Sequence, residues 1–292
     1  MSVVVTTFVH GWYVDYVPMF IYSVLKAYPD YFVKVFVQGE MSKHNKEALE
    51  LISNNRFEVV EHFFDEYKQN EASKKPYYLR WLIPHNHLKE FTYAFICDVD
   101  LIMLREEPTL VEQRISNSHG LPYTNFMRAP HPNYPSRISG WHFIEVEEYY
   151  EKAEPIIQRV LNDSSFDISN PPSYSYDNGT GERQWGQEAL LHSIIDAAFG
   201  IDERIDERRN SYPYHHGLHL GPFRGQLPQR MRSNDSQAKQ HIGRNSIYWE
   251  RTSDILSVIK DKDFQKITAE IKEDKVKNVL NNLKQHVLLT TI

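Results

Sequence analysis

Hydrophobic positions in the first part of the chain fall into short strand-like runs separated by helix-like stretches. The strand-like runs are rich in β-branched and aromatic residues and cover 2–8, 31–38, 57–64 and 93–97. The helix-like stretches cover 18–28, 43–53 and 73–87. Strands that alternate with helices favour a mostly parallel sheet flanked by helices, so we predict an α/β fold.

The rest of the chain is less regular. Short strand-like pieces cover 119–126 and 139–146, and helix-like stretches cover 147–161 and 184–199. Segment 163–181 is rich in Ser, Asn, Pro and Gly and predicts a loop, which we interpret as a lid over a bound ligand. Residues 254–289 are charged and helical in pattern.

Composition narrows the class of protein. The 292 residues are 41% hydrophobic and 25% charged, which is typical of a soluble globular chain. The net charge of −6 argues against broad nucleic-acid binding, which needs a basic surface. Cys97 is the only cysteine, so a disulfide framework within the chain is excluded. No apolar run approaches the ~20 residues of a membrane span, and no signal-peptide pattern opens the chain, so we predict a cytoplasmic protein.

Two carboxylates directly after a buried strand carry the strongest chemical signal. Asp98 and Asp100 follow the run 93–97, and ligands of open α/β sheets bind beyond the carboxyl ends of the strands. A divalent cation relieves the repulsion between such carboxylates, and it can bridge a substrate diphosphate. The alternative is an ordinary polar strand end, because this triplet also occurs by chance.

Two basic motifs supply further candidates. Arg80 interrupts an apolar stretch, where it would bind a phosphate or form only a surface ion pair. Downstream, His219 precedes Gly221 and Arg224. The histidine suits a metal ligand, the glycine lets the backbone approach a phosphate closely, and the arginine offers a charge-assisted contact to that phosphate. His215 and His216 are competing ligands, and a lone histidine is more often structural.

A fourth motif, Trp185-Gly-Gln-Glu188, opens a predicted helix. Gln187 or Glu188 would face a reacting carbon, and the alternative is a carboxylate favoured by the helix dipole.

These motifs, in this order, resemble the GT-A glycosyltransferases, and most closely the retaining glycogenin and lipopolysaccharide galactosyltransferase type, a family 8-like group. Tyr78-Leu-Arg80-Trp-Leu-Ile-Pro84 matches that family's Arg helix, and Asp98-Val-Asp100 matches its D-x-D element. Ser139-Gly140 resembles the start of its Gly-containing strand, and His219-Leu-Gly-Pro-Phe-Arg224 matches its late His motif. The resemblance covers about residues 1–228.

The resemblance implies a role for each matched residue. Asp98, Asp100 and His219 would bind Mn²⁺ or Mg²⁺, and Asp98 would also contact the ribose. Arg80 would contact the donor, whereas Gly221 and Arg224 would contact its diphosphate. The uracil would lie against Thr6, Thr7 and Tyr13, although the family's pattern is only partly present there.

Departures from the family leave the stereochemistry open. Gly186 stands where the family has Asp, and Arg224 replaces Lys. A retaining enzyme would present Gln187 to the sugar. The W-G-x-E pattern also resembles inverting GT-A enzymes, in which Glu188 would be the general base.

We therefore expect a metal-dependent hexosyltransferase that moves a sugar from a UDP-sugar to a saccharide acceptor in glycan or polysaccharide synthesis, with retention. The resemblance divides the chain into a catalytic domain at 1–244, with a nucleotide-binding half at 1–110 and an acceptor half at 111–244, and a helical extension at 245–292. That extension would cap the domain, with dimerisation, partner docking or peripheral membrane contact as alternatives. The other hypotheses are an inverting enzyme, a non-catalytic sugar-nucleotide or glycan-binding homologue, and a nucleotidyltransferase, which would need a Gly-rich loop that residues 6–11 lack.

Overall fold

The structure is a computed structural model that describes most of the chain. The described residues are 2–65, 76–125, 127–128, 137–138, 140–162, 187–200, 216–224 and 252–289. The predicted lid at 163–181 lies outside them.

A six-stranded mixed sheet forms the centre of the molecule. The strands of the described residues are β1 Val3–Val9, β2 Phe32–Val37, β3 Phe57–Val60, β4 Tyr93–Ile96, β5 Leu101–Met103, β6 Tyr123–Thr124, β7 Met127–Arg128, β8 Arg137–Ile138, β9 His142–Glu145 and β10 Gly217–His219. The sheet order is β3-β2-β1-β4-β9-β6, and β9 alone runs against the other five. The predicted α/β fold with a mostly parallel sheet is confirmed.

Helices cover both faces of this sheet. They are α1 Val17–Ala27, α2 Lys43–Glu50, α3 Leu110–Ser116, α4 Val146–Asn162, α5 Gln187–Phe199, α6 Thr252–Lys260, α7 Lys262–Ala269 and α8 Asp274–Leu289. None of the described helices has both the length and the apolar character of a membrane span.

The helix predicted around Arg80 is instead a pair of short 3₁₀ helices, Pro76–Leu82 and His85–His87. Residues 78–83 are all buried, so this segment has no solvent face of the kind that amphipathic α-helices present. Pro84 lacks an amide hydrogen and separates the two turns.

Strand β1 is buried along its whole length because apolar layers lie on both of its faces. Val5 and Val9 belong to a cluster that contains α1 together with the C-terminal helices, represented by Phe264 and Val276. Val4 and Phe8 belong to a second cluster, formed with the 3₁₀ segment, α4 and α5. The C-terminal helices therefore share a core with the sheet.

Candidate active site

The acidic residues lie at the carboxyl end of β4, in the connection to β5. The Cys97 amide donates a hydrogen bond to the Thr6 carbonyl at 3.1 Å, which continues the pairing of β4 with β1 beyond Ile96. Cys97 and Val99 are buried in the core, and they anchor the connection. Asp98 remains partly accessible, whereas Asp100 is 2% exposed.

An antiparallel ladder brings His219 to these carboxylates. Strand β10 pairs with β5 so that His219 lies opposite Leu101, and the Leu220 amide donates to the Asp100 carbonyl at 2.8 Å. In this register His219 Nε2 lies 3.3 Å from Asp100 Oδ2 and 4.0 Å from Asp98 Oδ2. The three predicted metal ligands, 121 residues apart at their extremes (219 − 98), thus come together.

Arg80 reaches the same cluster from the 3₁₀ helix. Its Nη1 donates to Asp98 Oδ1, and its side chain is 4% exposed. The guanidinium carbon lies 4.3 Å from the centre of the Trp81 ring. Gly140 closes the other side, since a Cβ at this position would lie only 2.7 Å from Arg80 Nη2. Arg80 is therefore held tightly against Asp98.

Arg224 approaches from the end of a third 3₁₀ helix, Gly221–Arg224, which follows β10. Its Nη2 donates to Asp100 Oδ2, and its guanidinium carbon lies 5.0 Å from the centre of the Tyr13 ring. The side chain is 36% exposed. Gly221 leaves space for the imidazole, because a Cβ there would lie 2.6 Å from His219 Cε1.

Aromatic side chains border the cluster on the β1 side, in the 3₁₀ helix Gly11–Tyr16. The rings of Trp12 and Tyr13 are 4.2 Å apart between centroids. Lys275 at the start of α8 places its Nζ 5.2 Å from the centre of the Trp12 ring. Sequence reasoning did not identify Trp12, although it adjoins Tyr13, and nothing in the local sequence of Lys275 indicates this position.

Opposing charges set the protonation of the site. Burial lowers the pKa of His219, but the neighbouring Asp100 and Asp98 carboxylates outweigh burial and raise that pKa above its usual value. Burial raises the pKa of the Tyr13 hydroxyl, so this group stays protonated near neutral pH.

The side chains fit a divalent cation by type. Two carboxylates and one imidazole suit Mn²⁺, and the carboxylates also suit Mg²⁺. The ligand atoms of Asp98, Asp100 and His219 are more widely spaced than those of a closed metal shell. Among the described residues, the group whose three ligand atoms all lie within 4.8 Å of one another is His44, Glu47 and Glu270. Asp98 and Asp100 are instead each paired with an arginine, Asp98 with Arg80 and Asp100 with Arg224.

The remaining predicted residues lie elsewhere or outside the described side chains. Thr6 and Thr7 are 0% and 1% exposed inside β1, and their contact with a uracil stays a prediction. Gln187 and Glu188 are the first residues of α5, but their side chains lie outside the described part. Their catalytic roles stay predictions.

Comparison with known proteins gives a likeness only at the level of the backbone. No family model and no curated protein matches the sequence. The galactosyltransferase LgtC, solved with donor and acceptor sugar analogues, is 10% identical, with a TM-score of 0.40 over 65% of this chain and 70% of that one. Core-mannan synthase A of Aspergillus fumigatus in its Mn/GDP form is 9% identical, with a TM-score of 0.43 over 68% and 70%.

Mouse xyloside xylosyltransferase 1 is 12% identical, with a TM-score of 0.42 over 70% of this chain and 84% of that one. The first and the third are sugar transferases by their descriptions. Scores near 0.4 describe a loose likeness of the backbone.

Proposed function

We propose that this chain is a metal-dependent glycosyltransferase of the GT-A class that moves a sugar from a UDP-sugar donor to a saccharide acceptor. The observation that carries the proposal is the position of His219, whose Nε2 lies 3.3 Å from Asp100 and 4.0 Å from Asp98 at the carboxyl end of β4. This edge of an open α/β sheet is where ligands bind.

Asp98, Asp100 and His219 would hold Mn²⁺ or Mg²⁺, and Asp98 would also contact the ribose. When bound, the cation would offset the negative charge that develops on the departing diphosphate. His219 must be neutral at Nε2 to act as a ligand, and the two carboxylates raise the pKa of this ring, so a proton would compete with the cation for Nε2.

The cationic and aromatic groups would orient the donor. Arg224 and the backbone at Gly221 would contact the diphosphate, while the Tyr13 ring would contact the uracil. Arg80 keeps Asp98 in place through an ion pair whose guanidinium is buried, and it would contact the donor from there. Holding the reacting groups in a fixed orientation lowers the entropic part of the barrier.

The first experiment measures UDP release from a panel of UDP-hexoses with Mn²⁺, with GDP- and TDP-sugars as comparison donors. We expect Asp100→Asn to lower the rate at least ~100-fold, because the variant loses a ligand that acts on the charged transition state. Asp30→Asn is the matched control, since Asp30 lies on the exposed turn before β2. Wild-type turnover in Asp100→Asn, with circular dichroism unchanged, would contradict the proposed role of this carboxylate.

Retention is the outcome that the sequence favours, and NMR of the product anomer tests it directly. A retained anomer together with a near-normal rate in Glu188→Gln supports retention. An inverted anomer together with a large loss in that variant would establish Glu188 as the base.

Titration calorimetry with UDP separates an enzyme from a binding protein that has lost catalysis. Metal-dependent nucleotide binding without turnover of any donor in the panel would favour the binding protein.

A further inference from the structure

The two arginines at the site use the carboxylates in different ways. Arg80 donates a hydrogen bond to Oδ1 of Asp98, whereas Oδ2 of Asp98 lies 4.0 Å from His219 Nε2. Arg224 donates a hydrogen bond to Oδ2 of Asp100, and this same oxygen lies 3.3 Å from His219 Nε2. A cation held by His219 can therefore use Asp98 while Arg80 stays in place, whereas the Asp100 oxygen nearest to His219 is already bonded to Arg224.

The surroundings of the two side chains match this difference. Arg80 is 4% exposed and is enclosed by the Trp81 ring and the backbone at Gly140, so it has no room to leave. Arg224 is 36% exposed and lies at the end of a short 3₁₀ turn. A further neighbour of Arg224 is the face of the Tyr13 ring at 5.0 Å, a contact that does not depend on Asp100.

We infer that Arg224 is an exchangeable counter-ion of Asp100, which occupies the cation's ligand oxygen until a nucleoside diphosphate draws the guanidinium away. The inference rests on the proposed function and adds a regulation of the same site. Because binding effects are reciprocal, the diphosphate raises the affinity for the cation through Arg224, and the cation raises the affinity for the diphosphate. The device would keep the site from loading metal before the donor arrives.

The test is calorimetric titration of Mn²⁺ alone into the full chain, without any nucleotide. The reference protein, called wild type in this experiment, and every variant carry Glu270→Gln, so that the second ligand set at His44, Glu47 and Glu270 is broken in all of them. We expect Arg224→Gln to bind Mn²⁺ about 10-fold more tightly, because the competing cation is gone, and to bind UDP about 10-fold more weakly.

A matched control separates competition for one oxygen from a general change in charge. Lys275→Gln also removes a positive charge beside Trp12, but Lys275 is an exposed side chain at the start of α8. We expect it to change the Mn²⁺ affinity less than about 2-fold, since exposed charges are screened. UDP should also raise the Mn²⁺ affinity by a larger factor in the wild-type chain than in Arg224→Gln.

The outcomes distinguish this inference from the proposed function. If the wild-type chain binds Mn²⁺ and Arg224→Gln binds it no more tightly than Lys275→Gln does, the exchange is refuted and the glycosyltransferase proposal stands. If the wild-type chain binds no Mn²⁺ even with saturating UDP, the metal-dependent function itself is wrong. Tighter binding in Arg224→Gln alone supports the exchange.

Discussion

Gly140 lies so close to Arg80 and Asp98 that adding a single methyl group there should disturb the contact between them. A Cβ at this residue would lie 2.7 Å from Arg80 Nη2 and 3.7 Å from Asp98 Oδ2. A carbon and a nitrogen need about 3.5 Å, so one of them must move by almost 1 Å. Arg80 cannot move outward, because its guanidinium lies over the Trp81 ring and is bonded to Asp98.

Gly140→Ala should therefore separate Arg80 from Asp98. Overpacking of this kind costs about 1–3 kcal/mol, and a buried guanidinium that loses its partner adds to that cost. We expect the free energy of unfolding to fall by about 2–4 kcal/mol. A misplacement of ~1 Å in a metal-binding carboxylate should also lower sugar transfer about 100-fold.

The assays are urea denaturation and UDP release, with Gly200→Ala as the control. Gly200 has φ +70°, and a methyl group on its Cα would meet no atom within 4 Å, so its substitution costs only backbone strain, about 1 kcal/mol. Arg80→Lys should partly restore the stability of Gly140→Ala, because the shorter head group removes Nη2. Equal stability and full activity in the two alanine variants would refute the reasoning.

Three further predictions follow from single contacts. Burial, together with the Arg114 charge, lowers the pKa of His142 to about 3, whereas an unfolded histidine titrates near 6.5. Between these two pKa values the unfolded chain binds a proton that the folded chain does not. The free energy of unfolding should therefore fall by about 2 kcal/mol because of this residue as the pH is lowered from 7.5 to 5. His142→Gln should lose less over the same range in urea denaturation, and equal losses would contradict the assignment. Asn282 Nδ2 donates to the Phe223 carbonyl at 2.9 Å, so Asn282→Ala should loosen the turn that carries Arg224 and raise KM for the donor several-fold more than it lowers kcat; an unchanged KM would count against this role. Asp261 caps α7 and pairs with Lys26 at 2.6 Å. Asp261→Ala should therefore lower the free energy of unfolding by about 1–2 kcal/mol in urea denaturation without changing the rate of UDP release. A loss below about 0.5 kcal/mol would refute the role of the cap.

The sheet could be predicted because local pattern and burial agree along its central strands. The β-branched run that forms β1 is flanked by buried layers on both faces, as such a run predicts for a buried parallel strand. The position of Asp98 and Asp100 followed from the same logic, since residues directly after such a strand lie at the ligand-binding edge. The pattern could not predict the 3₁₀ form of the Arg80 segment, in which residues 78–82 are all buried.

Spacing favoured His219 over its neighbours, but the structure supplies the physical reason. His216 is buried and bonds Tyr28 on one ring nitrogen and Gln113 on the other, both at 2.8 Å. That histidine has a structural environment, while His215 lies outside the described residues. His219 is selected by the register of β10 against β5, a long-range pairing that no local sequence pattern encodes.

The C-terminal helices illustrate the same limit in a way that bears on the site. Their sequence matches no catalytic motif, yet Phe264 packs 6.1 Å from the Tyr22 ring of α1, and Val276 and Leu283 are buried in the core cluster of β1. Removing α6 to α8 would expose that apolar face and would release the Asn282 contact to the Arg224 turn. Because the sheet, α1 and the turn all depend on these helices, a chain shortened to its motif-bearing part would lose Arg224's position together with its stability.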